Sequence, residues 1–110
     1  MVFRIAVCSP DAVLRRRVER HCLEYYARRA DACIIEQMDS AAALLRRHRE
    51  GAQYELYLIE LTAQDPSAGL KAADALRKAG VRAPLAFFAH TPAHAFSAYR
   101  VDAMQYFLLP

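Results

Sequence analysis

The segment Tyr54–Leu61 (YELYLIEL) constrains the fold more than any other part of the chain. Four consecutive residues of this segment, 56–59, are apolar, as expected of a central strand that is buried on both faces of a parallel sheet. The segment also carries an acid, Glu60, near its carboxyl end. Because ligands bind beyond the carboxyl ends of the strands in open parallel sheets, Glu60 is either an active-site group or the relic of one.

Length and composition indicate one globular domain. The chain has 110 residues, of which 55% are hydrophobic and 25% are charged, so a disordered chain is excluded. The sequence contains no apolar run of membrane-spanning length and does not begin with a signal peptide. Three cysteines without CxxC spacing are typical of a reducing cytoplasm, where we expect this protein. A net charge of +3 does not by itself indicate nucleic-acid binding.

Strand and helix patterns alternate along the whole chain without a linker or a repeat. We predict five strands, at Val2–Cys8, Cys33–Met38, Tyr54–Leu61, Leu85–Ala89 and Met104–Leu109. Regular alternation with helices predicts a parallel sheet that is covered by helices on both faces. The predicted fold is therefore α/β, and right-handed crossovers limit its topology to a few choices.

Turn and capping residues mark the four predicted helices. Ser9 is expected to cap the first helix, with Pro10 at its first position and Asp11 near its positive end. Its inward face is predicted to carry Leu14, Val18, His21, Cys22 and Tyr25, with Arg15, Arg16, Glu19 and Arg20 opposite. The second helix follows Asp39 or Ser40, carries Leu44 and Leu45 inward and ends at Gly51. The third is expected at Gly69–Ala79, and the fourth opens at Pro92 and carries Ala95, Phe96 and Tyr99.

Three stretches resemble the receiver domains of bacterial response regulators, most closely the LytTR-type regulators. The stretch Ala95–Pro110 (AFSAYRVDAMQYFLLP) is similar to the family pattern A-L-x-A-F-x-V-x-A-x-D-Y-L-L-K-P. Tyr54–Leu61 is similar to Y-D-L-I-F-L-D-I, and Arg4–Asp11 (RIAVCSPD) to R-I-A-I-C-D-D-E. The stretches occur in the family's order and spacing, so the resemblance implies a receiver-like domain over residues 1–110, as the amino-terminal part of a longer regulator. It also implies a flavodoxin-like (CheY-like) three-layer fold with strand order 2-1-3-4-5, of which the fifth helix is absent from this chain.

The residues that carry phosphorylation chemistry in that family are replaced in this chain. The family's acidic pair, which holds magnesium, matches Ser9 and Pro10, and Asp11 lies one place further on. The phosphoacceptor aspartate matches Glu60. The hydroxyl residue that senses the phosphoryl group matches Ala89, and the lysine that pairs with the phosphate matches Leu109. Phosphoryl transfer depends on positioning and charge stabilisation, so we predict a pseudo-receiver, without catalytic activity, metal or cofactor.

Two alternatives stay open at this site. Glu60 could mimic the phosphorylated state by its fixed charge, or it could be a plain acid at the rim of the sheet. An unorthodox receiver could instead be phosphorylated at Glu60, or bind a metal through Glu60, Asp11 and His90 or His94. Thr91 could replace the lost hydroxyl only if its loop shifted.

Two arginine clusters are interpreted as solvated helix faces and not as a nucleic-acid site. They are Arg15–Arg17 on the first helix and Arg46, Arg47 and Arg49 on the second. Acids are interspersed, and no aromatic residues alternate with the arginines. We therefore predict neither direct nucleic-acid binding by this domain nor binding to a membrane.

The family resemblance implies a dimer face at the fourth helix, fifth strand and fifth helix, of which this chain carries the first two. We predict a homodimer through the residues Ala98, Val101, Met104, Tyr106 and Phe107, since both faces of the last strand are apolar. A fifth helix in the intact protein is the alternative cover for this strand. A LytTR-type DNA-binding domain is expected to follow in the full-length regulator.

Overall fold

Strands and helices alternate along the chain in this structure, a computed structural model that describes residues 2–29 and 31–110. The strands are β1 (Val2–Cys8), β2 (Ala32–Met38), β3 (Leu56–Glu60), β4 (Leu85–Ala89) and β5 (Gln105–Leu108). The helices are α1 (Ala12–Arg28), α2 (Ala41–Arg49), α3 (Pro66–Lys78) and α4 (Ala95–Arg100). A 3-10 turn, Pro92–His94, leads into α4. Within the described residues no helix follows β5.

All five strands are parallel and lie in the order β2-β1-β3-β4-β5, which confirms the predicted fold. The strand β3 lies in the middle, and its residues Tyr57, Leu58 and Ile59 are all buried. One row across the sheet joins the residues Met38, Cys8, Ile59, Phe87 and Tyr106. The apolar run of β3 therefore marks the centre of the sheet, as its sequence predicts.

Helices cover the two faces of the sheet unequally. On one face α2, α3 and α4 enclose the larger core, which includes Leu44, Leu76 and Phe87. On the other face α1 covers a smaller cluster around Ile5 and Val7. None of the described side chains of α1 is fully buried, whereas α3 buries Gly69, Ala72, Ala73 and Leu76. The face that α1 covers is therefore the more open one.

Local contacts change two of the predicted details of α1. Asp11 and not Ser9 is the N-cap of α1, because its Oδ1 accepts hydrogen bonds from the backbone N–H groups of Val13 and Leu14. The inward face of α1 uses Val18, Cys22 and Tyr26, whereas Tyr25 and His21 are exposed. The prediction was right for Val18 and Cys22 but chose Tyr25 in place of Tyr26, since both tyrosines lie near helical spacing from Cys22.

The start of α3 also differs from the prediction. The helix begins at Pro66, three residues before the predicted Gly69, because proline fits the first turn of a helix. Ser40, the second of the two predicted candidates, caps α2 by accepting a hydrogen bond from the N–H of Ala43. Gly51 and Gly80 follow α2 and α3 with φ of 95° and 94°, the left-handed conformation that ends a helix.

No helix within the described parts of the chain has both the length and the apolar character needed to cross a bilayer.

Candidate functional site

The carboxyl ends of β1 and β3 meet at the candidate site. Ser9 directly follows β1, and Glu60 is the last residue of β3. The Oγ of Ser9 donates a hydrogen bond of 2.6 Å to Oε1 of Glu60. Ser9 is buried, and Glu60 is partly buried. A short hydrogen bond to a carboxylate is of the strong, charge-assisted kind, so Ser9 fixes the position of the Glu60 side chain.

Four hydrogen bonds hold Ser9 in place, including the one to Glu60. Its Oγ accepts a hydrogen bond of 3.0 Å from the N–H of Asp11, and its own N–H donates to the carbonyl of Met38 at 3.0 Å. The guanidinium of Arg15 donates to the carbonyl of Ser9 at 2.6 Å. Strand β1, strand β2 and helix α1 therefore all contribute to the placement of one hydroxyl group.

Two clefts open beside the Ser9–Glu60 pair. A smaller cleft of about 170 Å³ lies between the ends of β1 and β3 and the first turns of α2 and α3. Cys8 lines this cleft, and burial, followed by the charge of Asp39, raises its pKa to about 12, which favours the neutral thiol. A second cleft of about 330 Å³ is lined by seven residues: Pro10, Asp11, Glu60, Thr62, Ala63, Gln64 and His90.

Magnesium is the metal that a receiver fold implies at this site. The residues present do not fit it. Ser9 directs its hydroxyl proton at Glu60, and Pro10 has no ligand atom. The Oδ1 of Asp11 already accepts two backbone hydrogen bonds at the start of α1. Among residues 2–29 and 31–110, no group of three or more His, Cys, Asp or Glu side chains is placed to hold a metal.

The other predicted site positions lie at the carboxyl ends of β4 and β5. Ala89 is fully buried, and its carbonyl accepts a hydrogen bond of 2.7 Å from the N–H of Leu109. His90 borders the larger cleft with Glu60, and its Nδ1 lies 3.1 Å from the carbonyl of Pro110. His94 does not line either cleft. The structure therefore brings His90 near Glu60 but leaves His94 apart.

Thr91 has a capping contact in place of the sensing role that was considered for it. Its Oγ1 accepts a hydrogen bond of 3.2 Å from the N–H of Ala93, at the start of the 3-10 turn. The hydroxyl of Tyr106 donates to the carbonyl of Thr91 at 2.6 Å. These contacts join β5 to the loop that follows β4.

Only part of the predicted dimer face is accessible. Ala98 and Val101 pack into the larger core, Tyr106 is half-buried, and Met104 and Phe107 are exposed. The accessible apolar surface of α4 and β5 consists of Phe96, Tyr99, Met104 and Leu108, and we call it the α4–β5 surface. Phe96 and Tyr99 are 71% and 79% exposed, values that are unusual for side chains of this size.

Sequence reasoning missed two polar clusters because each joins distant segments. Glu36 on β2 accepts hydrogen bonds from Arg4, Arg47 and Tyr54, and the bond from Tyr54 measures 2.6 Å. The Tyr54 bond is the main cause that lowers the pKa of Glu36. An acid in the strand pattern of β2 was the only available signal for this cluster, and its partners lie 32, 11 and 18 residues away.

Arg77 forms the second cluster. From α3 it donates to four backbone carbonyls, those of Val81, Ala83, Val101 and Asp102, over distances of 2.8 to 3.2 Å. Asp102 lies in the turn between α4 and β5 with φ of 55°. Arg77 therefore ties this turn, which carries one end of the α4–β5 surface, to α3.

Comparison with solved structures identifies the fold. The response regulator TrrA of Thermotoga maritima, solved in complex with Mg²⁺ and BeF, matches with a TM-score of 0.78 at 17% identity, over 98% of this chain and 87% of that one. The non-phosphorylated receiver domain of HemR from Leptospira biflexa matches with a TM-score of 0.77 at 14% identity, over 97% and 82%. The response regulatory domain of mrkE from Klebsiella pneumoniae matches with 0.74 at 15%, over 97% and 83%.

The sequence matches no protein-family model and no curated protein. At the identities found, the structural likeness concerns the fold alone. The chain has the fold of response-regulator receiver domains, with the Ser9–Glu60 pair at the end of the sheet where β1 and β3 finish.

Proposed function

We propose that this chain is a receiver-type regulatory module that acts in signal transduction without being phosphorylated. The hydrogen bond between Ser9 and Glu60 is the observation that carries this proposal. In the receivers that the chain resembles, carboxylates at the positions of Ser9 and Pro10 hold magnesium beside the phosphoacceptor. Here the hydroxyl of Ser9 contacts the acid directly, and the proline offers no ligand, which supports a site that does not switch by phosphorylation.

A regulatory module whose site is not switched by phosphorylation can still act by binding other proteins through its exposed surfaces. The α4–β5 surface exposes two aromatic side chains on α4 and two aliphatic ones at β5. Exposed apolar clusters of this kind mark protein–protein contacts. We infer that the module forms a homodimer through this surface, with Tyr99 and Phe96 as the main contacts and Arg77 holding the adjacent turn.

The full protein, in this proposal, is a longer transcription regulator of the LytTR type. The resemblance of the stretch Ala95–Pro110 to that family supports the assignment, and residues 1–110 would then form its receiver-like domain. A DNA-binding domain would follow, and a fifth helix is the alternative cover for β5. Sequencing the coding region beyond the codon for Pro110 tests this part of the proposal directly.

Phosphorylation independence is tested with acetyl phosphate. The protein is incubated with acetyl phosphate and magnesium, and its intact mass is measured, with Glu60→Gln as the matched control. We expect no added phosphoryl group in either protein. A mass increase in the wild type that is lost in Glu60→Gln would instead support the alternative, an unorthodox phosphoacceptor at Glu60 beside Asp11 and His90.

Dimerisation is tested by sedimentation at micromolar concentration. Tyr99→Asp places a charge in the α4–β5 surface and is expected to yield monomers, because a buried unpaired charge is costly. Val13→Asp is the matched control, since Val13 is 57% exposed and lies on α1, away from this surface. A wild-type protein that sediments as a monomer would contradict the proposed dimer.

A further inference from the structure

The two edge strands of the sheet differ in their chemistry. At the β2 edge, Glu36 is paired with Arg4 and Arg47, and Gln37 is bonded to Arg15 and Glu19 of α1. At the β5 edge, residues 103–110 (AMQYFLLP) contain no charged side chain. Charged side chains on an edge strand prevent pairing with another strand. The β5 edge therefore lacks the protection that the β2 edge has.

Apolar side chains surround the β5 edge on both faces of the sheet. Phe107 points to the face of α1, stacks on Phe88 with ring centroids 5.5 Å apart, and remains 42% exposed. Leu108, on the opposite face, is 59% exposed. A partner that contacted only the α4–β5 surface would leave Phe107 in water, whereas a partner aligned with the strand itself would cover both side chains.

The backbone of β5 has unused hydrogen-bonding groups at this edge. The N–H of Leu109 points to β4, where it donates to the carbonyl of Ala89. Peptide groups alternate in direction along a strand, so the N–H and C=O groups of Leu108 and Tyr106 point away from β4. No strand lies beyond β5 in the described sheet. These groups are free to pair with an added strand.

We propose that the β5 strands of two copies of this chain pair edge to edge and join their sheets into one. This inference rests on the dimer proposed above and specifies how it forms. Two identical edge strands that are related by a two-fold axis perpendicular to the sheet run antiparallel, and this is the arrangement that we propose. With the axis at Phe107, Tyr106 of each copy lies opposite Leu108 of the other, so both outward peptide groups are paired. The uncharged strand is complementary to itself, and closure at the axis limits the assembly to two copies.

Aromatic packing supports this register. The axis places the Phe107 side chains of the two copies directly opposite each other on the α1 face of the joined sheet. Each ring already stacks on Phe88 of its own copy, so the two stacks come together across the axis. Directly opposed aromatic side chains stabilise antiparallel pairs.

Two variants of Leu108 separate strand pairing from side-chain packing. Leu108→Ala removes the exposed side chain and keeps the N–H, whereas Leu108→Pro removes the outward N–H as well. We expect Leu108→Ala to weaken dimerisation about 10-fold and Leu108→Pro by about a further 30-fold, since two hydrogen bonds are lost per dimer. Proline is tolerated here because the N–H that it removes faces away from β4.

Sedimentation and amide exchange read out the result. If Leu108→Ala and Leu108→Pro weaken the dimer equally, the outward peptide groups of β5 are not used and the edge pairing is wrong, although Tyr99→Asp still yields monomers. A wild-type monomer would overturn the underlying dimer as well. If Leu108→Pro unfolds, amide exchange of the wild type decides: pairing requires that the Tyr106 and Leu108 amides exchange more slowly as protein concentration rises. Rates independent of concentration in a sedimenting dimer would overturn the pairing.

Discussion

Ser9 and Glu60, 51 residues apart in the sequence, are joined by a hydrogen bond of 2.6 Å at the end of the sheet. In the function proposed above, this bond stands where the receivers that the chain resembles would hold a metal ion. It satisfies the hydrogen-bonding groups of a buried serine and a partly buried acid at this edge of the sheet.

Ser9→Ala is expected to lower the free energy of unfolding by about 2 kcal/mol. The change leaves the carboxylate of Glu60 and the N–H of Asp11 without their common partner, in a partly buried site. Glu60→Gln keeps an acceptor oxygen for Ser9 and is expected to cost less. Urea unfolding at pH 7 measures both, and a change below about 0.5 kcal/mol for Ser9→Ala would show that the bond contributes little.

Magnesium binding is expected only after the acids are rebuilt. We predict that the wild type shows no saturable magnesium binding below about 1 mM, which corresponds to about −4 kcal/mol. The triple variant Ser9→Asp, Pro10→Asp and Glu60→Asp supplies three carboxylates at the same edge and is expected to gain such binding. Titration followed by NMR shifts near residue 60 compares the two, and saturation of the wild type would contradict the prediction.

Arg77→Ala is expected to destabilise the fold by about 2 kcal/mol or more. It removes four hydrogen bonds from a charged donor to backbone carbonyls, two of them in the turn before β5. Arg82→Ala, at a nearby exposed arginine, is the control and should change stability by less than about 0.5 kcal/mol. Thermal and urea unfolding measure both variants, and equal effects would remove the structural role of Arg77.

Gly69→Ala is expected to destabilise the protein by about 1–3 kcal/mol, although alanine favours helices. A Cβ at this position would lie 2.8 Å from Leu61 Cδ2, 3.1 Å from Ile59 Cγ2 and 3.3 Å from the carbonyl oxygen of Glu60. The glycine thus lets α3 approach the end of β3. Ala75→Gly, at an exposed position of the same helix, measures how much stability the difference in helix propensity between alanine and glycine contributes. A more stable Gly69→Ala protein would show that α3 can shift freely.

Stability is expected to fall as pH rises above about 9, because Cys8 is held neutral. Burial raises the pKa of Cys8 to about 12 in the folded protein. The unfolded chain releases this proton first, so each pH unit between about 9 and 12 favours unfolding by about 1.4 kcal/mol. Cys8→Ala should remove the contribution of Cys8 to the dependence of the unfolding free energy on pH. Part of the remaining dependence comes from Cys22, whose pKa is raised to about 11, chiefly by burial.

Urea unfolding at pH 8, 9 and 10 under reducing conditions measures the slope. Ile59→Val is the control: it truncates the same core and should lower stability equally at all three values. If the slopes of Cys8→Ala and wild type coincide, the thiol of Cys8 does not titrate as predicted.

Periodicity and turn residues determined the order of elements along the chain, because it depends on short stretches, and the resemblance to receiver domains supplied the strand order. The apolar run of β3 marks the buried centre of the sheet, and Gly51 ends α2 as predicted, since only its own φ is involved. The replacement of an acidic pair by Ser9 and Pro10 is read from the resemblance to receiver domains and stays a prediction.

Tertiary contacts decided the rest, because they join residues that the sequence keeps far apart. Ser9 could cap α1 by local rules, yet its hydroxyl bonds to Glu60, and Asp11 caps the helix instead. Ala98 and Val101 face the core, which moves the accessible surface to Phe96 and Tyr99. Local spacing places residues on a helix, but only packing against the sheet determines which side of that helix remains in water.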